Sequence, residues 1–190
     1  MHGPRQRGFS LLELLVALFV IVLVTSLATL NVGSGGWDRG LEAQLQTLLD
    51  TNAFALEEAQ MSGLDHGLLL QRVDVDGETV YRYGWRQLRP EGWRLPDSGE
   101  DLFEDRDFDP EVALLLRMEG QVDGELLSPA DPATAAPQIV FYASGEASPG
   151  EIDVRRRSDD SLLWRLQWDL LGRGELLPRG EASQRDDNDD

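Results

Sequence analysis

The chain has 190 residues, enough for one membrane helix and one modest folded domain. It contains no cysteine, which excludes disulfides, thiolate catalysis and thiolate metal sites. Its formal charge of -18, from 35 acids against 17 bases that are all arginine, repels nucleic acid and anionic lipid headgroups.

Residues 1–8 form a short polar leader whose Arg5 and Arg7 suit the cytoplasmic side of a membrane. Phe9 to Leu30 is apolar or small apart from a few hydroxyls and Glu13. A helix over residues 9–32, rising about 1.5 Å per residue, crosses the roughly 30 Å of bilayer hydrocarbon. Glu13 is the anomaly, because an acid at that depth costs about 2.5–3.5 kcal/mol and needs a partner. Cutting the chain between Gly8 and Phe9 creates an α-amine one helical turn away, about 6 Å along the axis. In a bundle of parallel helices, the amine of a neighbour offset along the axis reaches the same level. The acid thereby becomes a reason to assemble. An ordinary secretory signal peptide could exit at Ser26-Leu27-Ala28, but its core would be overlong and would hold a glutamate. A plain single-pass anchor leaves Glu13 unexplained.

Val32-Gly33-Ser34-Gly35-Gly36 predicts a break or pliable joint near the outer membrane boundary, with Trp37 at the interface. Asp38 is the expected N-cap of an amphipathic helix over Arg39 to Met61, ended by Ser62-Gly63. Its stripe of Leu41, Leu45, Leu48, Leu49, Leu56 and Ala59 reads as a face packed on its own domain rather than a binding face. Joint and helix together occupy 33–63.

A β-rich domain is expected over 64–180. Leu68 to Val73 and Thr79 to Trp85 flank Asp74-Val75-Asp76-Gly77, a hairpin signal. Val112 to Met118 predicts a buried strand, and Ile139 to Ala143 and Glu151 to Arg156 flank a hairpin-like loop over 144–150. Leu162 to Leu170 alternates with period two and predicts a strand. Arg94 to Pro110 and Glu119 to Pro137 read as surface loops, and 181–190 as an acidic disordered tail. No internal repeat is present.

Gly8-Phe9-Ser10-Leu11-Leu12-Glu13 resembles the class III signal of type IV prepilins and type II secretion pseudopilins, with processing site, glutamate and apolar run in register. Farther on, Pro137-Gln138-Ile139-Val140-Phe141-Tyr142-Ala143-Ser144-Gly145-Glu146 and Leu170-Leu171-Gly172-Arg173-Gly174-Glu175-Leu176 resemble the C-terminal strands of the H-type minor pseudopilins, the GspH/FimT family. The resemblance implies a pilin-like α+β fold: a long N-terminal transmembrane helix plus an amphipathic helix, then a β-rich, sandwich-like periplasmic domain. It implies cleavage by a prepilin peptidase between Gly8 and Phe9, N-methylation of Phe9, and Glu13-guided incorporation into a pseudopilus near its tip. The chain would be a single-pass inner-membrane protein with its N-terminus in the cytoplasm. Its partners would be the other minor pseudopilins, the major pseudopilin, the prepilin peptidase and the inner-membrane secretion platform, with no nucleic acid and no cofactor. The Gly33 to Gly36 cluster departs from the straight helical spine of that family.

Little in the chain points to catalysis. His2 lies in the leader, His66 sits in Asp65-His66-Gly67 as an expected turn residue, and Ser144 lacks both a nucleophile elbow and a second domain histidine. Asp105, Asp107, Asp109 and Glu111 offer the oxygen ligands calcium favours, but Pro110 and Leu116 stand where an EF-hand needs glycine and glutamate. A solvated acidic loop is expected, with no metal ligands assigned. Two other functions remain. One is a FimT-like minor pilin of a type IV pilus, some of whose relatives bind DNA; an acidic domain whose basic cluster is Arg155-Arg156-Arg157 disfavours it. The other is an anchored periplasmic enzyme or binding protein, which would need a pocket of perturbed titratable groups.

Overall fold

The computed structural model describes residues 11–97, 101–119, 126 and 131–181, with the side chains of 11–14 and 23–35 outside that description. Residues 1–44 and 45–190 form separate compact units.

One helix, α1 (Leu11–Ser62), is 52 residues long and continuous. The expected break at Gly33 to Gly36 is therefore absent, and Asp38 lies inside the helix instead of capping a second one. A glycine costs about 1 kcal/mol relative to alanine but keeps its N–H and C=O, so the hydrogen-bond ladder passes through; a proline would have removed a rung. The helix ends where expected. Gly63 takes a left-handed φ of 70° and its N–H still reaches the carbonyl of Ala59 at 2.9 Å. Leu41, Leu45, Leu48, Leu49, Leu56 and Ala59 are all buried, as a packing face requires.

Among the described residues nine strands follow: β1 (His66–Val75), β2 (Glu78–Arg89), β3 (Gly92–Arg94), β4 (Arg106–Asp107), β5 (Val112–Met118), β6 (Ile139–Phe141), β7 (Gly150–Arg156), β8 (Leu162–Trp168) and β9 (Gly174–Pro178). They form two antiparallel sheets. The first has the order β3-β2-β1-β6, with β4 also pairing with β2; the second has the order β5-β7-β8-β9. The first hairpin turns through Asp76 and Gly77, both at positive φ, with Val75 opposite Glu78. That is the two-residue turn whose twist matches the strands, and the Asp74 carboxylate accepts the Gly77 N–H at 3.0 Å to fix it. In β5, Val112, Leu114, Leu116 and Met118 are buried and the residues between them half-buried, so the apolar run serves a single core face. β8 forms as a strand, but its expected alternation shows only at its end, where Leu166 and Trp168 are buried around a half-buried Gln167; residues 162–165 are all half-buried.

Two expectations are overturned. The loop over 144–150 does turn back on β6, with Phe141 bridged to Ala147 and the Ser148 N–H on the Val140 carbonyl at 2.8 Å, but β6 and β7 do not pair: β6 pairs with β1 in the first sheet and β7 with β5 and β8 in the second, so the chain crosses between sheets at 142–149. Nor is Arg94 to Pro110 only a surface loop. It contains β3's last residue, a 3-10 turn at Asp101–Phe103 and β4, and it buries Phe103 and Phe108. Two aromatic side chains bury enough apolar area to hold an otherwise acidic segment on the core.

The β1–β6 ladder ends in an unusual way. Leu68 pairs with Ile139, and continuing the register would place Pro137 opposite Leu70. Proline cannot donate a hydrogen bond. The Gln138 side chain supplies what is missing: its Oε1 accepts the Leu70 N–H at 2.9 Å, and its Nε2 donates to the Leu70 carbonyl at 2.7 Å. Gln138→Ala is expected to lower the unfolding free energy by about 1–3 kcal/mol, as an orphaned backbone pair should. Urea denaturation measures the loss, and Gln138→Glu, which offers acceptors only, should fail to restore the donor half.

Candidate functional site

Gly8 and Phe9, the expected processing site, lie outside the described residues, as does His2. Glu13 is on α1, with its side chain outside the description. Of the expected anchor over 9–32, side chains are described for residues 15–22. There Leu15, Val16, Leu18, Phe19, Val20, Ile21 and Val22 are each 51–66% exposed, an apolar surface on every side of the helix. A helix apolar all round is suited to burial in lipid or among other helices. Among the described residues, no helix is long and apolar enough to cross a membrane.

His66 is not a turn residue. It opens β1, is 1% exposed, and stands 6.0 Å from the Phe103 ring. Its Nδ1 lies 3.0 Å from the Leu64 carbonyl and its Nε2 lies 3.3 Å from Gln87 Nε2. An amide nitrogen only donates, so Nε2 accepts and Nδ1 carries the proton toward Leu64. Burial pushes the imidazole below its ordinary pKa, which keeps it neutral. With both nitrogens engaged it cannot serve Ser144, which is exposed in the turn after β6.

The acidic loop is organised by arginines. Asp107 makes a two-pronged pair with Arg82, and Asp105 takes Nη1 of the fully buried Arg86 at 3.0 Å. Arg82's hydrogen bonds hold the Asp107 carboxyl below its usual range. Asp109 accepts the Glu111 N–H at 2.8 Å. Among the described residues, no group of three or more histidine or acidic side chains is gathered as a metal ion would need.

The densest charge cluster was not anticipated. Asp153 on β7 is 0% exposed, with Arg165 Nε on its Oδ1 at 2.6 Å and Arg117 Nη1 and Arg155 Nη2 on its Oδ2 at 2.9 and 3.3 Å. Glu151 shares Arg117 at 2.6 Å. The register puts Arg117 opposite Glu151 and Arg165 opposite Asp153, so cross-strand pairing builds the network. A signal was present: Glu151, Asp153 and Arg155 alternate with Ile152 and Val154, which places all three charges on one face. This network also answers for the basic cluster. Arg155 is bound to Asp153 and Asp160, while Arg157 donates to the Val112 carbonyl and lies over the Tyr81 ring at 5.7 Å. Arg155 and Arg157 thereby tie strands together.

The described side chains therefore contain no nucleophile and base set in catalytic reach; they form a scaffold with an apolar helical extension. Against known proteins, residues 3–29 match the prokaryotic N-terminal methylation motif and residues 44–172 match the family of type II transport protein GspH. Type II secretion system protein H of Pseudomonas aeruginosa is 28% identical over 185 residues, covering 95% of this chain and 98% of that protein. The protein of the same name from Aeromonas hydrophila is 26% identical, covering 97% of this chain and 100% of its own. The crystal structure of the minor pseudopilin EpsH from the type II secretion system of Vibrio cholerae superposes with a TM-score of 0.56 at 25% identity, covering 74% of this chain and 94% of that one. The chain belongs to the GspH family of type II transport proteins.

Proposed function

We propose that this chain is a structural minor pseudopilin of a type II secretion system, built into the pseudopilus through its N-terminal helix. The observation that carries this is the pairing of a methylation motif over residues 3–29 with a GspH domain over 44–172 in one chain. In this reading a prepilin peptidase removes residues 1–8 and methylates the new amine of Phe9. The helix over 9–32 holds the chain in the inner membrane, N-terminus inward, and the β-rich domain stands in the periplasm. The exposed apolar surface at residues 15–22 then meets lipid before assembly and neighbouring pseudopilin helices afterwards. Glu13 takes the amine of the adjacent subunit as its counter-charge, and that pairing sets the axial offset between helices. The other minor subunits, the major subunit and the inner-membrane platform are the partners.

Mass spectrometry of the mature chain is expected to find methylated phenylalanine at position 9 as its first residue. Glu13→Ala is expected to cut incorporation into filaments by at least about tenfold, a loss of roughly 1.4 kcal/mol, with domain stability unchanged. A chain beginning near Leu30, or normal assembly of Glu13→Ala, would overturn the reading.

A further inference from the structure

The turn joining β8 to β9 shows two consecutive leucines to solvent, Leu170 at 52% and Leu171 at 55% exposure. Water-facing leucines in adjacent positions are costly for a surface that meets only water. A loose turn could fold them away, but this one is fixed. The Asp169 carboxylate accepts the backbone N–H groups of Leu171 and Arg173 at 2.9 and 3.0 Å and the Arg173 Nε at 2.8 Å. The Ala147 N–H holds the Leu170 carbonyl at 2.8 Å. Gly172, at a φ of 69°, lets the backbone approach the helix so closely that a Cβ there would lie 2.6 Å from Leu56 Cδ2. The leucines are therefore displayed by a preformed frame, which removes the ordering cost of binding.

Beside the turn, between it and α1, runs an open hollow of about 430 Å³. Asp50, Ala53 and Glu57 line its helix side, Leu171 and Leu176 its strand side, and Arg173 stands at its rim. Arg173 is already paired with Asp169 at 2.6 Å. The hollow thus sets Leu171 and Leu176 across from a polar helix side, where Gln46 and Gln60 flank two exposed carboxylate side chains and Gln46 donates to Asp50 at 3.0 Å, with no uncommitted base among its described lining.

We propose that Leu170, Leu171 and this hollow form the docking surface for another protein of the secretion assembly, one that presents apolar side chains flanked by lysine or arginine. Charge selects that occupant. A second copy of a chain with a net charge of -18 would bring further acids against Asp50 and Glu57, and an anionic membrane surface would be repelled in the same way. The proposal deepens the pseudopilin reading and rests on it.

The chain's lack of cysteine makes Leu171→Cys a unique thiol reporter in the full-length protein. Its rate of modification by a membrane-impermeant maleimide is compared in cells with the complete secretion system and in cells lacking the other pseudopilins. The complete system is expected to slow the reaction by at least about tenfold, as burial of a central contact residue would. Leu95→Cys, at a position 51% exposed elsewhere on the domain, should react equally in both. Adding Asp50→Lys and Glu57→Lys should restore the fast reaction while leaving thermal stability unchanged. Equal rates for Leu171→Cys in both strains overturn the proposal. So does protection that survives the two lysine substitutions, or protection accompanied by a disulfide-linked homodimer. Co-purification of the chain with sheared pseudopili is scored separately. A filament-bound chain with a reactive thiol at 171 defeats the docking surface alone, whereas a chain absent from filaments defeats the pseudopilin reading.

Discussion

Asp153→Asn is expected to destabilise the folded domain by roughly 3 kcal/mol, read by urea denaturation of the full chain followed through tryptophan fluorescence. Removing one member of a buried ion pair typically costs about 3–5 kcal/mol because the remaining charges lose their partner. The lower end applies here, since Arg117, Arg155 and Arg165 keep 27–29% of their side-chain surface and hence some water, while Asp153 keeps none. Asparagine preserves shape and one acceptor, so the loss reports charge more than packing. The pH dependence follows from the direction of the shift. Burial by itself would push the Asp153 carboxyl up, but hydrogen bonds from Arg165 and Arg117 outweigh it and hold the group below the ordinary 3.8. A carboxylate with a depressed folded-state pKa stabilises fully above its unfolded value and loses that contribution as pH falls through the folded value. The gap between wild type and Asp153→Asn should therefore be constant from about pH 5 to 8 and close only below about pH 4. A gap that closed near neutrality would mean that the network does not hold Asp153 ionised.

Local features of the sequence were readable in proportion to how locally they are stabilised. Asp76-Gly77 fixes its hairpin by its own backbone angles, and Ser62-Gly63 stops the helix in the same way. β5 was readable because it is an apolar run that buries one face, whereas β8, which alternates in sequence, buries its face only at Leu166 and Trp168. The helix break was misjudged because glycine propensity is a weak term against the cooperativity of a 52-residue ladder. The failed hairpin at 139–156 is different in kind. Turn residues announce that a chain bends, but they do not say whether the next strand pairs with the last or joins another sheet. β9 shows only through the resemblance of residues 170–176 to C-terminal strands, because Gly174 and Pro178 bound it and blur its pattern, and an edge strand tolerates both. The arginines that claim Asp105 and Asp107 lie on β2, 19 and 25 residues earlier, so nothing near the acids revealed their use. Gly8, Phe9 and Glu13 stand out in the sequence through a motif in register, and they lie outside the described side chains.

Trp85→Ala should be the most damaging single substitution in the β-rich domain, at about 3–5 kcal/mol, the usual cost of emptying a large aromatic site in a core. Trp85 is 1% exposed and sits where helix, sheet and loop meet. Its ring packs edge-on to Tyr83 at 5.7 Å and tilted to Phe103 at 5.9 Å, and Phe103 in turn meets Phe54 of α1 at 5.8 Å. Its Nε1 donates to Asn52 Oδ1 on α1 at 3.3 Å, a hydrogen bond buried on both sides. Trp85→Phe separates the two contributions. It keeps most of the apolar volume but leaves the Asn52 oxygen without its donor, so it should cost about 1–3 kcal/mol and be partly relieved by Asn52→Leu, which removes the orphaned acceptor. Because residues 45–62 of the helix are fixed to the sheets through this cluster, Trp85→Ala should also make secretion temperature-sensitive. If thermal unfolding of Trp85→Ala instead matched wild type within about 1 kcal/mol, the aromatic cluster would not be what holds the helix to the first sheet.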